Sequence, residues 1–148
     1  HELLTLCPVA ERAADPRPAL DSKWKGRSGE IYTVQGKGGL TREVMIPHEL
    51  AARLEERRLD APQVVTDRGV FYQSSYDIGG GQRWSNSVSA ASERTMGRST
   101  GAHGLRHSYA QERMTELQNR GLSRDAALET VSQEMGHFRP EITETYLR

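Results

Sequence analysis

Three polar side chains able to bind an anion stand at the start of one predicted helix. His103, Arg106 and His107 lie within the stretch GAHGLRHSYAQERMTEL. On a helix, this stretch forms an apolar stripe of Ala110, Met114 and Leu117, and one turn earlier the stripe carries the three polar residues. An inward guanidinium costs several kcal/mol unless it meets an anion or a full set of acceptors. The stretch therefore predicts either an anion site or a structural arginine satisfied by helix-end carbonyls, with His103 in the core.

Three further polar residues occupy positions where chemistry is possible. Lys37 stands in GKGG between two predicted strands, His137 directly follows a predicted helix end at Gly136, and Tyr146 comes nine residues later. Each residue also has a simple structural role. Lys37 can keep a turn hydrated, His137 can cap a helix, and Tyr146 can pack against the core.

The elements that must position these residues follow from local patterns. EIYTVQ and REVMI predict a β-hairpin with Lys37 at its tip. PHELAARLEERRLD predicts a helix with Leu50 and Leu54 inward, and QVVT and GVFYQ predict short strands. Further helices are predicted over SNSVSAASERTM, with Val88 and Ala91 inward, and from the Ser123 cap to Gly136, with a last helical segment over RPEITETYLR. The opening HELLTLCP is typical of the tail of a helix. We therefore expect an α+β fold that is predominantly helical, with a small antiparallel β-sheet.

Composition narrows the class of protein. The chain has 148 residues, enough for one domain with a core, and no apolar run reaches the roughly 20 residues that a membrane span needs. The single cysteine excludes an internal disulfide and offers no metal-ligand spacing. The equal numbers of basic and acidic residues, 20 each, count mildly against a nucleic-acid binder, because phosphate contacts usually require excess Lys and Arg. We expect a cytoplasmic protein.

Three motifs in one order resemble the tyrosine recombinases, the phage-type integrases that cut and rejoin DNA. The family's V-x-G-K-G-x-x-x-R-x-V-x-x-P hairpin is similar to VQGKGGLTREVMIP here, and its H-x-L-R-H-(S/T)-(F/Y)-A helix start is similar to HGLRHSYA. Its (L/M)-G-H-x8-Y segment is similar to MGHFRPEITETY. The resemblance extends over nearly the whole chain, and it implies the recombinase catalytic-domain fold.

The resemblance implies a role for each matching residue. Tyr146 would attack a DNA phosphodiester to form a 3′-phosphotyrosyl link, and Lys37 would protonate the departing 5′ oxygen. Arg106 would hold the non-bridging oxygens, His103 would assist proton transfer at the tyrosine, and His137 would donate a hydrogen bond to the phosphate. His107 would support the site. These types suit phosphoryl transfer, which depends mainly on positioning and charge stabilisation. The covalent link conserves bond energy, so no metal, ATP or other cofactor is expected.

Partners and boundaries are also implied. The family's first catalytic arginine, in R-x-x-E-L, would fall just before residue 1 when Glu2 is aligned with its glutamate. We therefore expect residues 1–148 to be a single catalytic domain cut from a longer protein with a separate DNA-binding domain. The partners would be double-stranded DNA and, for the intact protein, a homotetramer on DNA in a bacterial or phage context; this piece alone could be a monomer. Arg42 and Arg83 are candidate contacts to the DNA backbone, with exposed solvated arginines as the alternative.

Two other functions stay open. A type IB topoisomerase would use the same chemistry without partner subunits. A DNA-binding or regulatory relic would keep the fold and lack cleavage. A metal-dependent nuclease is disfavoured, because the sequence has no cluster of acidic residues.

Overall fold

The chain folds into five α-helices and two small antiparallel sheets in a computed structural model that describes residues 1–148. The expected α+β class is confirmed. The residues form two compact units, one of residues 1–16 with 27–87 and the other of residues 17–26 with 88–148. None of the helices combines the length and the apolar character needed to cross a bilayer.

The first unit is built on a three-stranded sheet. A 3₁₀ turn over Glu2–Thr5 precedes strands β1 (Cys7–Pro8), β2 (Glu30–Gln35) and β3 (Thr41–Ile46), which pair in the order β1-β2-β3. Helix α1 (His48–Glu55) follows, and β4 (Arg58–Asp67) and β5 (Val70–Tyr76) form a separate two-stranded ribbon. A core of Leu6, Tyr32, Val34, Ala51, Leu54 and Tyr76 lies beneath the sheet and α1.

The hairpin prediction is confirmed, and two neighbouring predictions are wrong in part. Strands β2 and β3 pair from Glu30↔Ile46 to Gln35↔Thr41, and residues 36–40 make the turn. Leu50, predicted inward, is 50% exposed. Ala51 is buried beside Leu54 instead, in the core that includes Tyr32 and Tyr76. The opening segment forms only a single 3₁₀ turn before β1 pairs with β2.

The second unit is helical. Helix α2 (Gly81–Met96) begins in the first unit and continues into the second, and it has no fully buried residue; Val88 and Ala91 are half-buried. Helices α3 (Gly104–Asn119), α4 (Arg124–Met135) and α5 (Pro140–Glu144) follow, with a 3₁₀ turn over Thr145–Leu147. Their core consists of Ala110, Met114, Leu117, Ala127, Leu128, Val131 and Met135, so the predicted apolar stripes of α3 and α4 are confirmed.

Local signals set the ends of α4. Ser123 adopts an extended conformation, and its Oγ accepts a hydrogen bond from the Ala126 N–H at 3.2 Å, as the N-cap prediction requires. Gly136 closes the helix in the left-handed region at φ 76°, where a side chain would be strained. The chain therefore leaves α4 in a new direction immediately before His137.

Candidate active site

Tyr146 is at the centre of the predicted residues in the helical unit. The centre of its ring lies 4.8 Å from that of His107, 5.1 Å from His137 and 5.2 Å from His103. The Arg106 guanidinium carbon lies 5.7 Å from the same centre. Three imidazoles and a cation thus surround one phenol. The surrounding groups come from the start of α3 and from the residue that follows Gly136 at the end of α4, and the phenol comes from the last 3₁₀ turn.

The elements bring these side chains together for identifiable reasons. His103 stands at the N-cap of α3, and Arg106 and His107 lie in its first turn. His137 follows the left-handed Gly136, and Tyr146 lies in the 3₁₀ turn after α5. Tyr146 is half-buried, and its ring packs against the core of α3 and α4. The phenol is therefore fixed by apolar contacts, while its hydroxyl makes no hydrogen bond within the chain.

The contacts of Arg106 are compatible with both alternatives drawn from the sequence, a structural arginine and an anion site. Its Nη2 donates to the Met135 carbonyl at 2.9 Å, which is the helix-end contact of a structural arginine. The same nitrogen lies 2.9 Å from Nε2 of His137. Nε and Nη1 make no hydrogen bond within the chain, so they can donate to an anion.

The contacts of His137 with Arg106 and Thr143 together indicate which ring nitrogen carries the proton. A guanidinium only donates, so Nε2 of His137 must accept and carries no proton. The proton of the neutral ring is then on Nδ1, which lies 2.9 Å from Oγ1 of Thr143. Thr143 is fully buried and was not predicted as a site residue.

His107 contacts the backbone as well as the ring of Tyr146. Its Nδ1 lies 3.2 Å from the Tyr146 carbonyl oxygen, and a carbonyl only accepts, so Nδ1 donates. This bond ties the last turn of the chain to α3. The supporting role that the resemblance implied for His107 stays a prediction.

A buried ion pair lies behind the site. Nε and Nη2 of Arg113 each lie 2.9 Å from the Glu134 carboxylate, and both side chains have 0% exposure. Tyr109 Oη and the Trp24 backbone N–H also donate to Glu134, at 2.7 and 2.8 Å. Although burial opposes the charge, the Glu134 and Glu116 carboxylates raise the pKa of Arg113. The pair joins α3 to the end of α4. Glu134 directly precedes Met135, and the Met135 carbonyl accepts the hydrogen bond from Arg106.

Sequence reasoning missed this pair, although part of the signal was present. Arg113 follows Arg106 by seven residues, which places both on the same side of α3. Glu134 offers no comparable signal, because an isolated glutamate near a helix end is usually exposed. Only the fold shows that the two side chains meet.

The remaining predicted residues lie in the first unit. Lys37 is exposed in the β2–β3 turn, and its side chain makes no hydrogen bond or ion pair within the chain. Arg42 is 9% exposed and pairs with Glu2 at 2.8 Å, and its contact with the DNA backbone stays a prediction. Arg83 is exposed in the first turns of α2, in agreement with either of its expected roles.

The first unit has its own polar cluster, which the sequence did not predict. Tyr32 and Tyr76 both donate to Oε1 of Glu55, at 2.6 and 2.7 Å. Burial opposes the charge of Glu55, but these two bonds and nearby Arg58 outweigh it and lower the glutamate pKa. Burial and the Glu55 carboxylate raise the pKa of Tyr32 to about 12.

No group of three or more His, Cys, Asp or Glu side chains is arranged to bind a metal ion. Comparison of the chain with protein-family profiles, with curated proteins and with solved structures finds no match.

Proposed function

We propose that the protein is the catalytic domain of a tyrosine-type DNA recombinase, with Tyr146 as the nucleophile. The observation that supports this most strongly is the placement of His103, Arg106 and His137 around the Tyr146 ring. The three motifs that resemble the recombinases supply these same residues.

The proposed reaction exchanges one phosphodiester for another. Tyr146 Oη attacks the phosphorus and loses its proton, a bond forms between them, and the bond from phosphorus to the 5′ oxygen breaks. The products are a 3′-phosphotyrosyl link and a free 5′-hydroxyl. Attack by a 5′-hydroxyl on the link reverses the step and releases Tyr146, so joining needs no external energy source.

Each surrounding group has a physical reason to help. A phenol has a pKa near 10 in water, so a neutral-pH nucleophile needs a proton acceptor or a positive field. His103 is exposed and lies against the ring, where it can take the phenol proton. Arg106 provides the positive field and offers Nε and Nη1 to the phosphate oxygens.

Lys37 completes the proposal as the general acid for the 5′ oxygen. This assignment rests on the GKGG turn and on an exposed ammonium group without a partner in the chain. An alkoxide leaving group departs faster when a positioned acid protonates it.

A covalent-trapping experiment tests the proposal. End-labelled duplexes with randomised flanks carry a nick one nucleotide 3′ of the test phosphate, so that the released nucleotide diffuses away and any adduct accumulates. We expect the protein to form a protein–DNA band that survives denaturation. Tyr146→Phe should abolish the band and leave the affinity for the duplex within about twofold of the wild type. The substitution removes one hydroxyl and keeps the packing of the ring against the core. Tyr109→Phe is the matched control and should retain the band. An adduct that persists in Tyr146→Phe, or a protein that binds the duplexes and forms none, contradicts the proposal.

The non-catalytic relic is a second candidate, because Arg106 is bound to the Met135 carbonyl and Tyr146 packs on the core. It predicts duplex binding without any adduct. A topoisomerase would instead relax supercoiled plasmid as a monomer.

A further inference from the structure

We propose that Thr143 is a positioning residue that fixes the tautomer of His137 and, through it, the direction of Arg106. The consequence of this inference for phosphate binding rests on the proposed function. The tautomer itself follows from geometry alone.

The first step concerns the two ends of the His137 ring. Arg106 Nη2 approaches Nε2 at 2.9 Å, and Thr143 Oγ1 approaches Nδ1 at 2.9 Å. Arginine only donates, whereas a threonine hydroxyl can donate or accept. The pair of contacts is satisfied by one arrangement of a neutral ring, with the proton on Nδ1 and donated to Thr143.

The second step concerns the rigidity of Thr143. Its residue exposure is 0%, and it is the fourth of the five residues of α5. A β-branched side chain has few rotamers in a helix, so the hydroxyl is held in place. In contrast to a mobile partner such as water, this acceptor keeps the imidazole plane constant, and the ring lies nearly parallel to that of Tyr146, at 24°.

The third step is the consequence for Arg106. With its proton on Nδ1, His137 directs a lone pair at Arg106 and holds the guanidinium near the Tyr146 ring. His137 in this form cannot donate from Nε2. To donate to a phosphate it must gain one proton there from solvent, which gives an imidazolium that keeps its bond to Thr143. Thr143 therefore serves both forms of the ring.

Nitrogen NMR of the protein labelled with ¹⁵N-histidine tests the tautomer directly. At a pH where the histidines are neutral, we expect a pyrrole-like Nδ1 and a pyridine-like Nε2 for His137. The resonance is assigned by its loss in His137→Asn. A wild-type ring with its proton on Nε2 overturns the proposal without any further variant.

Two substitutions separate positioning from folding. Thr143→Val keeps the shape and removes the hydroxyl that accepts from Nδ1. The Nδ1–H is then left without its acceptor, which is unfavourable for a buried donor. The His137 proton should therefore move wholly or partly to Nε2, with loss of the Arg106 contact at that nitrogen. Thr143→Ser restores a hydroxyl and should restore the Nδ1 form. A Val variant that folds, as judged by circular dichroism, and retains the Nδ1 form overturns the proposal. If the Val variant does not fold, the wild-type and Ser spectra decide.

The cleavage assay separates this inference from the proposed function. Positioning partners of catalytic groups commonly contribute about 10- to 100-fold, so Thr143→Val should slow adduct formation by about that factor and Thr143→Ser by less. If the wild type shows the Nδ1 tautomer and no adduct, the proposed function fails and the tautomer assignment stands. If adducts form at equal rates in wild type and Thr143→Val, the positioning role fails and the proposed function stands.

Discussion

Removal of one partner of the Arg113–Glu134 pair should destabilise the helical unit strongly. The Glu134 side chain is fully buried, and its carboxylate accepts two hydrogen bonds from Arg113, one from the Tyr109 hydroxyl and one from the Trp24 amide. Arg113→Met would remove two of these donors and leave a buried carboxylate without the cation that pairs with it. Breaking such a pair on one side typically costs about 3–5 kcal/mol. Because a domain of this size is stable by about 5–15 kcal/mol, the loss would be a large fraction of the total.

Chemical unfolding in urea, followed by far-ultraviolet circular dichroism, measures this loss. Arg120→Met is the matched control, because Arg120 caps the C-terminal end of the same helix and pairs with Glu116 at 3.5 Å but is exposed. An exposed pair contributes about 0–1 kcal/mol, so the control should change little. The double variant Arg113→Met/Glu134→Leu removes both charges and should be more stable than the sum of its single variants predicts.

A loss for Arg113→Met below about 1 kcal/mol, no larger than that of Arg120→Met, would refute the reasoning. It would mean that water reaches Glu134 in the variant. Additive single variants would mean that the two side chains do not interact.

Two further predictions concern the first unit. Lys37→Ala should slow cleavage of an ordinary phosphodiester, and a 5′-bridging sulfur, whose thiolate leaves without protonation, should restore the rate; an equal defect with both substrates would contradict the general-acid role. Because burial and Glu55 raise the pKa of Tyr32 to about 12, the folded chain keeps a proton that the unfolded chain loses above about pH 10. Stability should therefore fall from about pH 10 to 12, by up to about 1.4 kcal/mol per pH unit, and less steeply in Tyr32→Phe. Urea unfolding at a series of pH values checks this, and an identical slope in both proteins would be the contrary result.

The parts of the fold that the sequence predicted are those with local causes. The β2–β3 hairpin follows from alternation around a glycine-rich turn, and Ser123 and Gly136 delimit α4 through bonds within a few residues. The prediction that Leu50 faces inward was wrong because burial on this helix has no local cause. Which leucine of a short amphipathic helix is buried depends on the strand and sheet packed against it, and these are remote in sequence.

The candidate site divides in the same way. His103, Arg106, His137 and Tyr146 could be named because motifs carry them. Thr143 and the Arg113–Glu134 pair could not, because their roles exist only when α3, α4 and α5 are in contact. A polar residue that belongs to a short motif can be named as a site residue from the sequence. A polar residue whose partner is a side chain far along the chain cannot, because the pairing is visible only in the fold.

The loop that carries His137 is held from several directions at once. Phe138 adopts φ 54°, a left-handed conformation that costs a non-glycine residue about 1–2 kcal/mol. The guanidinium of Arg17 lies 4.7 Å from the centre of the Phe138 ring, and the backbone N–H groups of residues 137 and 138 both donate to the Ser132 carbonyl. Strain of this kind persists only where the surroundings determine the conformation. The imidazole is therefore placed before any ligand arrives. In the proposed reaction, such preorganisation would favour electrostatic stabilisation of the phosphoryl transition state.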